Sequence, residues 1–202
     1  MKHLVSFTTL CALAIVSLIA CSSPQSSSNS ESSSNKESPS NKDTDVSTVE
    51  LAAVSLGTIR NVHQLGDVWF GGQPSESDFG LVKVAGIKTV INLRHDAENE
   101  GMDEAAVVAA AEMGYAHIPF SNPGQLTDEV FDAVRHELKT APRPLLIHCA
   151  SANRVGATWL SYRVLDEGVP YDDALLEAKE IGLRSSSLEE LARQYITAHQ
   201  GD

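Results

Sequence analysis

A cysteine, four small or polar residues and an arginine, Cys149-Ala150-Ser151-Ala152-Asn153-Arg154, follow the most apolar run of the folded part of the chain, Pro144 to His148. A buried strand that ends in a thiol, with a tight loop leading into a helix, sets that thiol among unpaired amide N–H groups at the positive end of the helix dipole. Such a loop is an anion site, and the same field favours thiolate over thiol. Arg154, in the first turn of the helix, returns to the loop. Its planar guanidinium is able to hold two oxygens of one anion. A nucleophile beside an anion cradle suits attack on phosphorus or sulfur centres. Cys149 is therefore expected as the nucleophile, Arg154 as the clamp, and Ala150, Ser151, Ala152 and Asn153 as the anion-binding loop. His148 is read as a buried residue that hydrogen-bonds the loop rather than as a base.

The elements that must position these residues are legible as punctuation and period. Val68-Trp69-Phe70 reads as a strand ended by Gly71-Gly72. Ser75 with Asp78 forms the pattern of a capping box opening a helix to about Ala85, with Gly86 as its stop. Lys88 to Leu93 is a buried-strand run. Asp103 to Met113 reads as a helix halted by Gly114, and Ala116 to Phe120 as a strand. Thr127 or Asp128 caps a helix to about Leu138. Pro144 to His148 is a strand, a helix begins near Arg154, and two more are expected over Tyr171 to Ile181 and Ser187 to His199. Alternating strands and helices predict an α/β fold with a mainly parallel central sheet flanked by helices. Sites in such sheets form at the carboxyl ends of strands, which is where Cys149 falls. Arg94 falls at another such end, either adding charge to the pocket or pairing with Asp96 or Glu98. Trp69 and Trp159 are expected in the core, and Tyr162 and Arg163 suggest no role.

These residues resemble the cysteine-dependent phosphatases, especially the dual-specificity type, which carry His-Cys, a loop and an arginine at a helix start. Phe70-Gly71-Gly72-Gln73-Pro74, Ala85 to Arg94 and Tyr115 to Phe120 extend the resemblance upstream in the expected order. The family it matches is the bacterial beta-lactamase-hydrolase-like, phosphatase-like domain, over most of residues 55 to 165. The resemblance implies a dual-specificity-phosphatase-like fold and a phospho-thiol intermediate. It also implies a general-acid aspartate after the Ile118-Pro119 strand. That stretch here is Ser121-Asn122-Pro123-Gly124. Asn122 has no acidic proton, and Asp128 is the nearest carboxylic acid beyond it, which makes Asp128 the candidate acid. Four residues rather than the phosphatases' five separate Cys149 from Arg154. That length is similar to the rhodanese sulfurtransferases, which carry a persulfide on the cysteine. Val155 replaces the usual hydroxyl residue, and Ala152 stands where glycine is common, although alanine resists a positive φ.

The remainder bounds where the domain works. Lys2, the apolar stretch Leu10 to Ala20 and a small residue before Cys21 make a secretory signal over residues 1–20. Leu18-Ile19-Ala20-Cys21 resembles the bacterial lipobox, which implies lipid on Cys21. Residues 21–49 are rich in Ser and Asn and read as a disordered tether with a reach of ~30 Å. Residues 50–202 are the phosphatase-like domain. The expected location is the bacterial cell envelope, lipid-anchored to a membrane, with the outer membrane facing the periplasm preferred. Cys11 lies in the signal and Cys21 is lipidated, so Cys149 is left as a lone thiol with no disulfide partner. The formal net charge of -12 argues against nucleic acid as a partner. The histidines show no ligand spacing, so no metal is expected, and nothing calls for a cofactor. Three readings remain. The first is a hydrolase of phosphate monoesters, with an anionic small molecule or phosphoprotein as substrate and phosphotyrosine included. The second is a rhodanese-like sulfurtransferase. The third is a catalytically idle module that binds an anion or a partner.

Overall fold

A computed structural model describes residues 50–99 and 101–201. The segments expected as a secretory signal and a tether, and Cys21, expected to carry lipid, lie outside the described residues. The domain is a six-stranded sheet: β1 (Ala52–Ala53), β2 (His63–Leu65), β3 (Val68–Gly71), β4 (Thr89–Asn92), β5 (Gly114–His117) and β6 (Leu145–His148). Six α-helices accompany it: α1 (Asp78–Val84), α2 (Glu104–Ala110), α3 (Asp128–Thr140), α4 (Asn153–Leu165), α5 (Tyr171–Ile181) and α6 (Ser186–His199).

The strand order is β1-β2-β3-β6-β4-β5. The pairs β3–β6, β6–β4 and β4–β5 are parallel, and β1–β2–β3 is an antiparallel edge. The central strands β4 and β6 are buried at every position, as expected where helices cover both faces of a parallel sheet.

Side chains alternate between the two faces of a strand, and this divides the core in two. Ile91, Leu145 and Ile147 pack with residues of α3, α4, α5 and α6. Val90 and Leu146 pack with Phe79 and Val82 of α1 and Val108 of α2. The same alternation sends His148 toward α2. After it the chain turns, and Cys149 joins the opposite cluster. Helix α4 is buried from Arg154 to Tyr162. At Gly156 it meets the end of α5 so closely that a Cβ would sit 2.6 Å from the Ala178 carbonyl oxygen and 2.8 Å from Leu183 Cβ. Trp159 stands edge-on to Phe70 at 4.6 Å, a core residue as expected. Trp69 is only partly buried, against the α1–α2 cluster. Arg163 has a role the sequence did not suggest: its guanidinium is anchored on Glu177, tying α4 to α5.

Several boundaries differ from expectation. Helix α1 begins at Asp78, not Ser75. The Asp78 carboxylate instead accepts from the Ser75 N–H and hydroxyl and from the Thr58 N–H and hydroxyl, so it ties a loop rather than opening a turn. Gly86 stops α1 as expected, at φ 83. Helix α2 ends earlier than expected: Glu112 takes a left-handed φ of 55 and breaks it, which frees Gly114 to begin β5. That strand precedes its expected position, although Ile118 and Phe120 still donate amides to the carbonyls of Asn92, which ends β4, and of Leu93 just after it. Thr127 precedes α3, without a side-chain capping bond.

Candidate active site

The Cys149 loop is held from three sides. In front, it is sewn to the end of β3. Cys149 N–H donates to the Gly71 carbonyl at 3.3 Å, and Gln73 N–H donates to the Ala150 carbonyl at 3.4 Å. Beside it, Asn61 Nδ2 donates to the Ser151 carbonyl at 3.1 Å. Behind it lies the α5–α6 linker. Asn153 Oδ1 accepts from the Arg184 and Ser185 amides at 2.7 and 3.1 Å. Asn153 therefore turns its carbonyl oxygen to the linker and steadies the loop. Ala152 sits at φ 67, ψ 1 at the start of α4. The sequence suggested that alanine would resist this conformation. The loop adopts it anyway, at ~1–2 kcal/mol, because its surroundings over-determine it. Ala152 is fully buried, and Gly182 packs on it at a φ of 146. A Cβ on Gly182 would lie 3.1 Å from Ala152 Cβ.

Arg154 is buried at 8 % exposure. Its Nη1 donates to the Leu93 carbonyl (3.1 Å), the Phe120 carbonyl (2.5 Å) and Glu98 Oε1 (2.9 Å), and its Nη2 donates to Glu98 Oε2 (2.7 Å). A guanidinium carries five N–H donors. Nε and one Nη2 hydrogen are left without an oxygen acceptor among the described residues. Burial works against the charge on Arg154. The Glu98 hydrogen bond and the charge of the nearby Cys149 outweigh it and raise the pKa above the ordinary arginine value. The site thus holds a fixed, charged fork beside the thiol, with one edge open.

Glu98 was anticipated only as a surface partner of Arg94, and the structure gives it a larger part. It lies on a 3-10 turn, Asp96–Glu98. Hydrogen bonding to Arg154 pulls its pKa down to about 2 against the opposing effect of burial; the His95 N–H and the charges of Arg154 and Arg94 assist. Arg94 is itself buried, donates to the Glu98 carbonyl and stands 3.7 Å from its carboxylate. His148 does not hydrogen-bond the loop as expected. Its Nε2 donates to Glu104 Oε1 at 2.7 Å, and both side chains are fully buried. Burial alone would raise the pKa of Glu104, but the bond and charge of His148 and a hydrogen bond from Gln73 hold it below the ordinary glutamate range. The reason for the correction is geometric: His148 is on the α2 face of β6 and Cys149 on the other. Glu104 went unnoticed because it lies 44 residues from its partner.

Asn122 precedes a second 3-10 turn, Pro123–Gln125, two residues after Phe120, whose carbonyl accepts from Arg154. It is exposed. Asp128 is exposed in the first turn of α3, and no hydrogen bond among the described residues links it to Cys149 or Arg154. Among the described residues, no group of three or more His, Cys, Asp or Glu is placed to hold a metal ion.

Residues 67–164 match the family model described as beta-lactamase hydrolase-like protein, phosphatase-like domain. The beta-lactamase hydrolase-like protein of Agrobacterium fabrum (strain C58 / ATCC 33970) is 30% identical over 106 residues, which span 50% of this chain and 24% of that protein. The chain thus covers about a quarter of that relative's length. A crystal structure from Shewanella putrefaciens CN-32, of a protein described as a phosphatase candidate (DUF442), aligns with a TM-score of 0.62 at 23% identity. It covers 71% of this chain and 96% of that one. P. aeruginosa TpbA, solved as a Cys-to-Ser variant with phosphotyrosine, aligns with a TM-score of 0.59 at 20% identity, over 78% of this chain and 93% of its own. The fold is shared with tyrosine and dual-specificity phosphatases, and the expected fold class holds.

Proposed function

We propose that the chain hydrolyses phosphate monoesters through Cys149, a reading supported by the match of residues 67–164 to the phosphatase-like domain of beta-lactamase hydrolase-like proteins. The thiolate attacks phosphorus, the ester oxygen leaves and takes up a proton, and a phospho-thiol forms on Cys149. Water then attacks that phosphorus, releasing phosphate and restoring the thiol. Arg154 holds two phosphoryl oxygens on its open edge, and the Ala150 to Asn153 backbone supplies amides. One observation carries this reading: Glu98 fixes the Arg154 guanidinium beside the thiol while leaving Nε and one Nη2 hydrogen without an oxygen acceptor among the described residues. The phosphotyrosine complex of the TpbA relative supports a phosphorylated substrate. Turnover of p-nitrophenyl phosphate by the wild type, lost in Cys149→Ser and in Arg154→Ala, is the expected result. Rapid quenching should trap phosphorus on Cys149. Full activity in Cys149→Ser rejects the reading.

The four-residue spacing between Cys149 and Arg154 favours a second reading, a sulfurtransferase that carries a persulfide on Cys149. Incubation with thiosulfate followed by mass spectrometry separates the two, since a stable gain of one sulfur, absent in Cys149→Ser, supports the second. Envelope localisation through a lipidated Cys21 belongs to both readings. Palmitate labelling in cells, lost in Cys21→Ala, is its test.

A further inference from the structure

Beside the loop, and sharing Ala150 with it, lies an open cleft of about 540 Å³. Its walls include Arg60, Gln73, Arg94, Glu98 and Asn99. Buried polar side-chain atoms in folded proteins are almost always partnered. Five are not among the described residues, and three of those five, Gln73 Oε1, Arg94 Nε and Asn99 Oδ1, belong to residues that line this cleft. Arg94 and Asn99 are 8% and 9% exposed, so their polar atoms are withdrawn from bulk water. Arg94 braces Glu98 through Nη2, and its Nε stands 3.7 Å from the Glu98 carboxylate, too far for a hydrogen bond.

The orphaned groups are of two kinds. Arg94 Nε is a charged donor that has the Glu98 carboxylate within ion-pair range but makes no hydrogen bond, so an anionic oxygen would still complete it. The Asn99 and Gln73 carbonyl oxygens are acceptors that ask for a hydroxyl or an N–H. Arg60 adds a second cation at the exposed rim, and its backbone is fastened to Gly72, which bridges Ser151 of the loop. The Gly72 N–H donates to the Arg60 carbonyl at 2.8 Å. The next residue, Asn61, is held at a left-handed φ of 54 with its amide on the Ser151 carbonyl. Of the two glutamates in the wall, Glu98 has its carboxylate matched by Arg154, and Glu76 is exposed at the rim, where it suits a hydroxyl. No aromatic side chain is among the lining residues, so a phosphotyrosine ring finds no face on which to stack.

We propose that this cleft is a second anion subsite and that the substrate is a small phosphorylated polyol bearing a second anionic group. One phosphate lies in the Cys149 loop, the other anion meets Arg94 and Arg60, and hydroxyls donate to Asn99 and Gln73. This rests on the phosphatase reading above and names its substrate class. Arg60 and Asn61 lie before the 67–164 family segment, so this feature is carried partly by sequence outside it.

Steady-state kinetics with fructose 1,6-bisphosphate, fructose 6-phosphate, p-nitrophenyl phosphate and a phosphotyrosine peptide tests the proposal. The wild type should favour the bisphosphate over the monophosphate by ~10-fold or more in kcat/KM, a charged hydrogen bond being sufficient for that. In Arg60→Ala and Asn99→Leu that ratio should fall toward one through a rise in KM for the bisphosphate. Equal kcat/KM for the two sugar phosphates in the wild type overturns it. So does a preference for the phosphopeptide that Arg60→Ala leaves unchanged. If no ester is turned over, the phosphatase reading fails separately. Calorimetry on Cys149→Ser then decides the subsite: tighter binding of bisphosphate than monophosphate, lost in Arg60→Ala, upholds it, and equal binding rejects it.

Discussion

Glu98 grips Arg154 with both carboxylate oxygens, at 2.9 and 2.7 Å, and so fixes the plane of a cation beside Cys149. Replacing it with Gln keeps the shape and removes the charge. Turnover of an aryl phosphate should fall between ~10-fold and ~100-fold in kcat/KM, since small misplacements of a clamping group have effects of that size. The pair should also show itself in acid. Glu98 titrates at about 2 when folded against 4.5 as a free side chain. Its contribution to stability is therefore fully present above pH 4.5 and lost as the pH falls toward 2. The difference in Tm between wild type and Glu98→Gln should close across that window.

Cys149 follows β6 beside a charged arginine, with its side chain 1% exposed and packed in the core cluster of α3 to α6. Iodoacetamide should alkylate it in the folded protein near pH 7, and added phosphate or sulfate should protect it. Arg154→Ala should slow alkylation and abolish protection, and Arg154→Lys should restore little, because it keeps the charge without the fork. Labelling that occurs only after denaturation would remove every catalytic role assigned to this residue.

Asn122 follows the Phe120 carbonyl that Arg154 holds, which keeps it within two residues of the clamp. Asn122→Asp should raise turnover of an aryl phosphate by up to ~100-fold if it restores a proton donor. Asp128 is the competing candidate. A rate unchanged in Asn122→Asp, together with loss of activity in Asp128→Ala, assigns the acid to Asp128.

The buried bond between His148 and Glu104 should be a stability element. Glu104→Ala leaves a buried donor without an acceptor and a small cavity beside it, for a loss of about 3 kcal/mol. Urea unfolding measures it. Glu104→Gln, which still offers an oxygen, should lose less than half as much. With a folded pKa below the ordinary value, Glu104 stabilises the protein above the usual glutamate range, and that stabilisation fades as the pH drops through the lowered pKa.

Much of this fold is written locally. Helix α5 was read to the residue, because an apolar period between Pro170 and Gly182 leaves little choice, and β4 and β6 followed from short buried apolar runs. Strands β1 and β2 were not read. With two and three residues each, they are too short to show alternation and exist only through pairing with β3. The end of α2 was misread because Glu112, not a glycine, adopts the left-handed turn. At the site, Cys149 and Arg154 declare themselves by spacing. Their supports do not: Glu98 is 56 residues from Arg154, and Glu104 is as remote from His148 in kind. Nothing in a carboxylate's own neighbourhood tells which distant cation or imidazole it will meet.

The back wall of the Cys149 loop is made of Gly182, Arg184 and Ser185, all beyond the family-matched segment that ends at residue 164. A chain trimmed to that segment would keep Cys149 and Arg154 yet release the turn at Ala152 from its brace. The smallest piece that retains the shaped loop must therefore run past Ser185 into α6. Where the unit that shapes the loop ends is decided by this brace and not by the limits of sequence similarity.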